Sequence, residues 1–459
     1  MTIINNALTG SLAAQVALTA TSQNIANLQT KGYTRQGVLL TALQPTEAVK
    51  SGGNGVEVSA LIRFSDDYKN QQMWRSNSEI NRFSHTQPYL TQLERVMGDA
   101  TASLSAGVDG FFAALNASDV DPTSTPLRQQ VVSEADSMAQ HFNSMNNVVS
   151  SQLLSLRQQR SAIPAQANEA IAAIALMNQN IVGSGAAGTN VSALIDARDQ
   201  AIDALAGLMA LEVTNQADGT RDVSLKSGPP LVIGSLGGSI SVTGSATGTQ
   251  TINLTFETAN FVIGNQIVGG QMGGLGEFEE KVLLPLQQSI ADIAENIATR
   301  TNDLLTVGFD MDGAAGQPLF TFNAIGSGAS GMLRLTGITA TQLAFSADAA
   351  NPGNSDNLVQ IIALMNTPIT VSSIGSVLLG DADTQLVGKL GIDSKQNIAL
   401  LSTADTVRSQ AISDWQSTSG VNRDEEAVDL VEFQNMFQAN MKVIAVANSL
   451  FDATLAMMN

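Results

Sequence analysis

Residues 4–36 read INNALTGSLAAQVALTATSQNIANLQTKGYTRQ, and the spacing of their small and apolar side chains decides the fold. Ile4, Ala7, Ser11, Ala14, Leu18, Thr21, Ile25 and Leu28 recur at alternating intervals of three and four, with Leu8 and Leu12 beside them. That is a heptad seam made largely of small residues, sustained over about four heptads. Lys31 and then Gly32 are helix-stop chemistry: a cation for the last carbonyls, then a residue free to take positive φ. No acidic residue occurs before Glu47. The pattern predicts a helix of about 30 residues. Its closing stretch, NIANLQTKGYTRQ (24–36), is a polar cluster of Asn24, Asn27, Gly32, Tyr33 and Arg35.

The other end of the chain mirrors this one. Leu430, Phe437, Ile444, Phe451 and Met458 fall seven apart, with Ala427, Gln434, Met441, Asn448 and Leu455 in the intervening places. Asp424, Glu425 and Glu426 sit where a helix N-terminus favours negative charge. A second heptad-patterned helix, of about 35 residues, is therefore expected to end the chain.

Between them, residues 80–181 carry a helical pattern, clearest in Ile163, Ala167, Ala170, Ile174, Met177 and Ile181, with Pro122 and Pro126 marking a break. Residues 277–305 and 393–416 continue it, whereas 37–64 reads as extended, with GGNGVEVSALIRF resembling a hairpin. Residues 211–273 and 318–392 are rich in Gly, Thr, Ser and Val, and VSLKSGPPLVIG, GSISVTG and QTINLTF read as short strands with glycine turns. The expected fold is mainly α with an inserted β-rich domain, its terminal helices pairing in a coiled-coil-like bundle. We divide it into 1–75, an assembly helix with an extended hairpin; 76–207, 276–313 and 393–419, a helical rod; 208–275 and 314–392, an outer β-rich domain; and 420–459, a C-terminal assembly helix.

Composition narrows the chemistry. The 459 residues are 44% hydrophobic but only 4% aromatic, which favours helices packed at close range. A formal charge of -19 argues against nucleic acid or an anionic membrane as partner. With no cysteine, disulfides, thiolate metal sites and cysteine nucleophiles are excluded. No apolar run of about 18 residues suits a membrane span. The N-terminus lacks the basic region and apolar core of a cleavable secretory signal, so export would be unconventional.

Ordering the N-terminal helix costs about 1–2 kcal/mol per residue in backbone entropy, and a seam half made of Ala, Ser and Thr returns little by burial. Cut off from a core, a pair of such helices is marginal. Two readings stay open: the termini fold only when neighbouring copies cover them, or they form an intramolecular antiparallel coiled coil.

The N-terminal segment resembles the signature of bacterial flagellar axial proteins, in which a helix is followed by S-x-N-I-A-N and then G-Y-x-R. SGVNRDEEAVDLVEFQNMFQANMKVIAVANSLFDATLAM (419–457) resembles the partner signature. Gln438-Ala439-Asn440 is shared by rod and hook proteins. The SGVNRDEE opening and the Ala447–Ala453 ending look more like the FlgK type found at the hook–filament junction. GFFAALNASDVDP (110–122), LIDARDQAID (194–203) and TNDLLTVGFDMDGAAGQPLF (301–320) point the same way. The resemblance implies a non-enzymatic subunit, exported through the flagellar type III channel and located extracellularly in the flagellum. It further implies self-association in a ring-like or helical zone, with hook protein on one side and a second hook-associated protein or flagellin on the other. The residues expected to pack subunits are Ile4, Leu8, Leu18, Ile25, Leu28, Leu430, Phe437, Met441, Ile444, Phe451 and Leu455. An export chaperone is expected at the C-terminal helix, where Phe433, Phe437 and Phe451 are apolar. The short, glycine-rich β region departs from longer relatives. The rival within the family is the hook subunit itself.

Catalytic and cofactor readings fail on the residues. His85 and His141 are the only histidines and cannot make a conventional zinc site alone. From Asp310, a calcium loop would need Gly at position six and Glu at twelve, but Gly313 stands at four and Thr321 at twelve. Asp196 and Asp199 in LIDARDQ, after the Gly/Ala loop 183–188, are read as complementing a helix N-terminus. Gly388-Lys389 lacks P-loop spacing, and GGQMGGLG (269–276) lacks a dinucleotide context and reads as a linker. The sequons at Asn116, Asn190 and Asn253 carry no message without conventional secretion. No nucleophile–base–orienter set supports a hydrolase in the β region. Neither cofactor nor metal is expected.

Overall fold

Small residues set how the chain starts. In the computed structural model, which describes residues 2–43, 53–244, 250–325 and 331–458, α1 (Thr2–Ala26) buries Ala7, Ser11, Ala13, Ala14, Ala17, Ala20 and Thr21. The helix stops at Ala26, short of the expected Lys31–Gly32 stop. Asn27 N donates to both Gln23 O and Asn24 O, Leu28 N to Ile25 O and Thr30 N to Asn27 O, so the last turns tighten and the chain doubles back. It then forms β1 (Gln36–Ala42) and β2 (Val56–Arg63), an antiparallel hairpin with a bulge between Leu39 and Leu40. Its connection, residues 44–52 with Glu47 and Gly52, lies outside the described residues.

The rod begins with α2 (Asp67–Ser84), whose first turn is capped by Asp66 accepting from the Tyr68 and Lys69 amides. After α3 (Gln87–Met97) and α4 (Leu104–Val120), the expected break at Pro122–Pro126 leads into α5 (Thr125–Ala186), 62 residues long. Val131, Met138, Phe142, Val149, Leu156, Ala167 and Ile174 bury its inner face. α6 (Ser192–Leu208) folds back onto α5 and α2.

Two antiparallel sheets follow. β3 (Leu211–Asn215), β4 (Arg221–Leu225), β5 (Pro230–Ile233) and β6 (Leu236–Gly237) pair in chain order, as do β7 (Ser239–Thr243), β8 (Thr251–Phe256) and β9 (Ala259–Ile263). Burial alternates along β4 and β8 with the period of two that one covered face requires. Asn168 on α5 holds the second sheet by exchanging hydrogen bonds of 2.9 and 2.7 Å with the Ile240 backbone.

The glycine-rich stretch 269–276 is not a linker. After α7 (Asn265–Val268) it forms α8 (Gly270–Phe278), a buried helix crossing α2. A Cβ on Gly274 would sit 2.1 Å from the Arg82 carbonyl oxygen, so glycine here permits two backbones to touch. A π-helical turn, Glu279–Leu283, continues into α9 (Leu284–Val307). The next segment is mostly irregular. The hairpin β10 (Phe320–Phe322) and β11 (Leu333–Leu335), α10 (Asp356–Ala363), and the hairpin β12 (Pro368–Val371) and β13 (Gly375–Leu378) pack on the rod. Phe320, Leu333 and Phe345 join the core that Phe111, Phe142 and Ile290 occupy. Gly313 sits in a turn closed by Asp310 Oδ1, which accepts from the Asp312 and Ala314 amides.

α11 (Ala382–Ser419) starts at Ala382 rather than 393, and three residues separate it from α12 (Arg423–Met458). α12 lies antiparallel to α1: Asn24 meets Glu426, and Gly10 abuts the Asn440 side chain. Phe433, Met436, Phe437, Asn440, Ile444 and Ala447 form the face turned towards α1 and, with Asp429, are its least exposed residues beyond the first turn. Among the described residues, no helix is long and apolar enough to cross a membrane.

Candidate functional site: the junction of the terminal helices

Asn24 closes the packed part of α1, and every hydrogen-bonding position of its buried amide is used. Oδ1 accepts from the Gln36 backbone N–H at 3.0 Å and from the Tyr33 hydroxyl at 2.9 Å. Nδ2 donates to the Gln36 carbonyl at 2.8 Å and to Glu426 Oε1 at 2.9 Å. One side chain thus ties the end of α1 to the start of β1 and to the first turn of α12.

The returning loop 27–36 is fastened by α6. Asp196 Oδ2 accepts from the Thr34 amide at 3.1 Å, while its Oδ1 takes Arg63 Nε and Nη2 at 2.9 and 2.5 Å. Asp199 reaches the same Arg63 Nη2 at 3.1 Å and is paired with Arg221. Gln200 donates to the Lys31 carbonyl at 2.8 Å. Gly32, at φ +77°, leaves no room for a Cβ against the Gln200 side chain. Asp196, Asp199 and Gln200 lie at i, i+3 and i+4 on one helix face. This corrects the expectation that the two carboxylates complement a helix N-terminus. α6 starts at Ser192, its first amide is met by Asn190 Oδ1 at 2.9 Å, and both aspartates lie beyond the first turn.

The third strand of the junction is the α11–α12 connection. Arg35 N donates to the Ser419 carbonyl at 2.8 Å, its guanidinium pairs with Glu425 Oε2 at 2.6 Å, and Cζ lies 4.5 Å from the Phe64 ring centroid. Burial pushes the Tyr33 hydroxyl up to about 12, with the negative charges of Asp196 and Glu426 adding to it. Burial also raises Glu426, helped by Asp429 and Glu425 and opposed by the Asn24 hydrogen bond and Arg35. A cleft of about 940 Å³ opens beside the junction, lined by Tyr33, Arg63, Asn77, Asp203, Arg408 and Trp415.

The structure therefore brings Asn24, Gly32, Tyr33 and Arg35 into one polar knot. Asn27 does not join it: its side chain donates to Gln23 O and accepts from Thr30 Oγ1 within its own turn. Ile4 and Leu18 are half-buried, and Leu8, Ile25 and Leu28 are exposed. On α12, Phe437 and Ile444 are half-buried towards α1, while Leu430, Met441, Phe451 and Leu455 are exposed; the Met458 side chain lies outside the described ones. Sequence reasoning missed Arg63, Asp196, Gln200 and Glu426 as members of the knot. The i, i+3, i+4 polar stripe of LIDARDQ was the available signal. His85 is half-buried and lowered by burial. Among the described residues, no three His, Asp or Glu side chains converge as metal ligands would.

Paired terminal helices, a knotted end and a rod built on a 62-residue helix define a mainly helical protein with a β-containing insertion. Comparison with known proteins gives the class a family. Residues 90–320 match the flagellar hook-associated protein FlgK helical domain, and residues 415–457 match the flagellar basal body rod FlgEFG protein C-terminal region. Flagellar hook-associated protein 1 of Salmonella typhimurium is 25% identical over 554 aligned residues, covering 99% of each chain. Its counterpart in Bacillus subtilis is 23% identical, covering 96% of this chain and 95% of the other. In fold, the flagellar hook junction protein FlgK from Burkholderia pseudomallei is similar with a TM-score of 0.66 at 15% identity, covering 76% of this chain and all of that one. The chain belongs to the FlgK family of flagellar hook-associated proteins, and is a structural axial protein of the flagellum that associates with other axial components.

Proposed function

We propose that this protein is a non-enzymatic building block of the junction between hook and filament. The observation that carries the reading is the knot itself. The general axial motif NIANLQTKGYTRQ meets LIDARDQ and SGVNRDEE, the two segments that look more like the junction type, through Asn24–Glu426, Thr34–Asp196 and Arg35–Glu425. In this reading the knot sets the angle at which the helix pair leaves the rod. Copies assemble in a ring-like or helical zone by packing their terminal helices, with hook protein on one side and a second hook-associated protein or flagellin on the other. The β-rich segments face outward, and the chain travels to the cell exterior without a cleavable signal, escorted by a chaperone at the C-terminal helix. The test is deletion of the gene. Hooks that form but shed filament subunits support the junction role; cells without hooks overturn it in favour of the hook subunit.

A further inference from the structure

Asn54-Gly55 is the chain's sole Asn-Gly pair, and it stands at the closed end of the β1–β2 hairpin, half-buried and outside helix and strand. Because glycine has no Cβ, the amide nitrogen that follows Asn54 can reach the side-chain carboxamide carbon unhindered. The main chain is pinned on both sides of this residue. Before it, the Gly53 carbonyl accepts from Asn6 Nδ2 at 3.3 Å. After it, the Gly55 carbonyl accepts from the Leu43 amide at 2.9 Å, and the Val56 amide donates to Thr9 Oγ1 at 3.3 Å. Two of these three bonds hold the hairpin end to α1. Asparagines followed by serine, the next smallest case, are protected by the fold. Asn77, Asn143 and Asn448 lie within α2, α5 and α12, where helical bonding holds the following amide. Asn354 lies outside the helices, but its Oδ1 accepts from the Ala347 and Asp356 amides at 3.2 and 2.9 Å.

We propose that Asn54 is a site of spontaneous conversion to aspartyl and isoaspartyl residues, and that the isoaspartyl product frees the hairpin end from α1. The Gly55 nitrogen loses its proton to solvent base and bonds to Asn54 Cγ. The Cγ–Nδ2 bond then breaks, and the nitrogen takes up protons and leaves as ammonia. Water opens the resulting cyclic imide at either carbonyl carbon. Opening at Cγ leaves aspartate, whereas opening at the main-chain carbonyl leaves the chain running through Cγ, the isoaspartyl form. The net exchange is water for ammonia, with no oxidant or reductant. Either product adds a negative charge, and the isoaspartyl form also adds one main-chain carbon, about 1.5 Å of path. Gly53 and Gly55 are held at the spacing that an ordinary residue spans, so the lengthened chain gives up one of its pins.

The test uses the purified full chain, held in warm, mildly alkaline buffer and sampled over weeks. Trypsin releases residues 51–63 as one fragment, bounded by Lys50 and Arg63. That fragment is expected to gain the mass difference between a carboxamide and a carboxyl, in two products separable by chromatography, well before the fragment that holds Asn354. A fragment 51–63 that keeps its mass, or changes no sooner than the other, overturns the site. In the aged chain the Leu43 and Val56 amides should exchange hydrogen about two- to tenfold faster, the worth of one lost hydrogen bond. Asn54→Gln, whose longer side chain disfavours the cyclic imide, should show no such change after the same interval. Unchanged exchange once fragment 51–63 has converted to the isoaspartyl form overturns the release. Neither failure touches the junction role, which is read from hooks and filaments.

Discussion

Asn24 and Glu426 are 402 positions apart in the chain and share a buried hydrogen bond of 2.9 Å. The bond uses the last donor of an amide that also serves Gln36 and Tyr33, so its loss is felt at three segments together. Asn24→Ala takes the partner from the Gln36 backbone N–H and C=O and removes one partner of the Tyr33 hydroxyl. Each unmet buried group costs about 1–3 kcal/mol. A loss of at least about 2 kcal/mol is expected in urea unfolding followed by helical circular dichroism, and a change within about 0.5 kcal/mol would refute the clamp.

Asp196 tests the fastening of the loop from the other side. Asp196→Ala removes two of the three carboxylate contacts of Arg63, which keeps Asp199 at 3.1 Å, and frees the Thr34 amide. Each lost hydrogen bond to a charged group costs about 1.5–3 kcal/mol. Asp196→Asn keeps an oxygen for one of these donors and should lose distinctly less. Equal losses in the two variants would show that the charge is not what matters there.

Glu426 gives the junction a pH dependence of definite sign. Its folded-state value is raised above the ordinary 4.5, so the folded chain holds this proton more tightly than the unfolded chain does. The stabilising share is fully present below about pH 4.5 and is lost as pH rises through the raised value. Glu426→Gln retains an oxygen for Asn24 while removing the charge that burial, Asp429 and Glu425 oppose. Melting temperatures between pH 4 and 7 should show the variant gaining on the parent as pH rises. Parallel profiles would exclude the effect. Asp383, also raised by burial, titrates equally in both chains and cancels in the difference.

Gly274→Ala separates two readings of the glycine-rich stretch. In an exposed linker or helix the change is neutral or stabilising by about 0.4–1 kcal/mol. Against the Arg82 carbonyl it forces α2 and α8 apart, at a cost of about 1–3 kcal/mol. A calorimetric midpoint that rises would contradict the close crossing.

These cases show what the sequence made legible. Both terminal helices, the hairpin, the break before α5 and the strand segments after residue 211 follow from local periodicity and turn residues. The errors have a common source, in that the deciding partner is remote in sequence. α1 stops at Ala26 because Asn24 is claimed by Gln36 and Glu426, which no window around Lys31–Gly32 contains. Asp196 and Asp199 looked like dipole complements because Arg63 and Arg221 lie outside their helix. GGQMGGLG looked like a linker because glycine weakens an isolated helix, and only the Arg82 backbone explains why it is needed. In the knot, Asn24, Tyr33 and Arg35 were visible as a polar cluster, but their partners were not.

The antiparallel pairing of α1 with α12 also makes the burial of α1 depend on residues some four hundred positions further along the chain. The surface that covers the small-residue stripe of α1 comes mostly from α12, with β1 and β2 supplying the rest. A chain that lacks residues after 423 leaves the larger part of that stripe uncovered. Only a polypeptide that carries α12 can fasten the end of α1 through Glu426, so the two helices order as a pair.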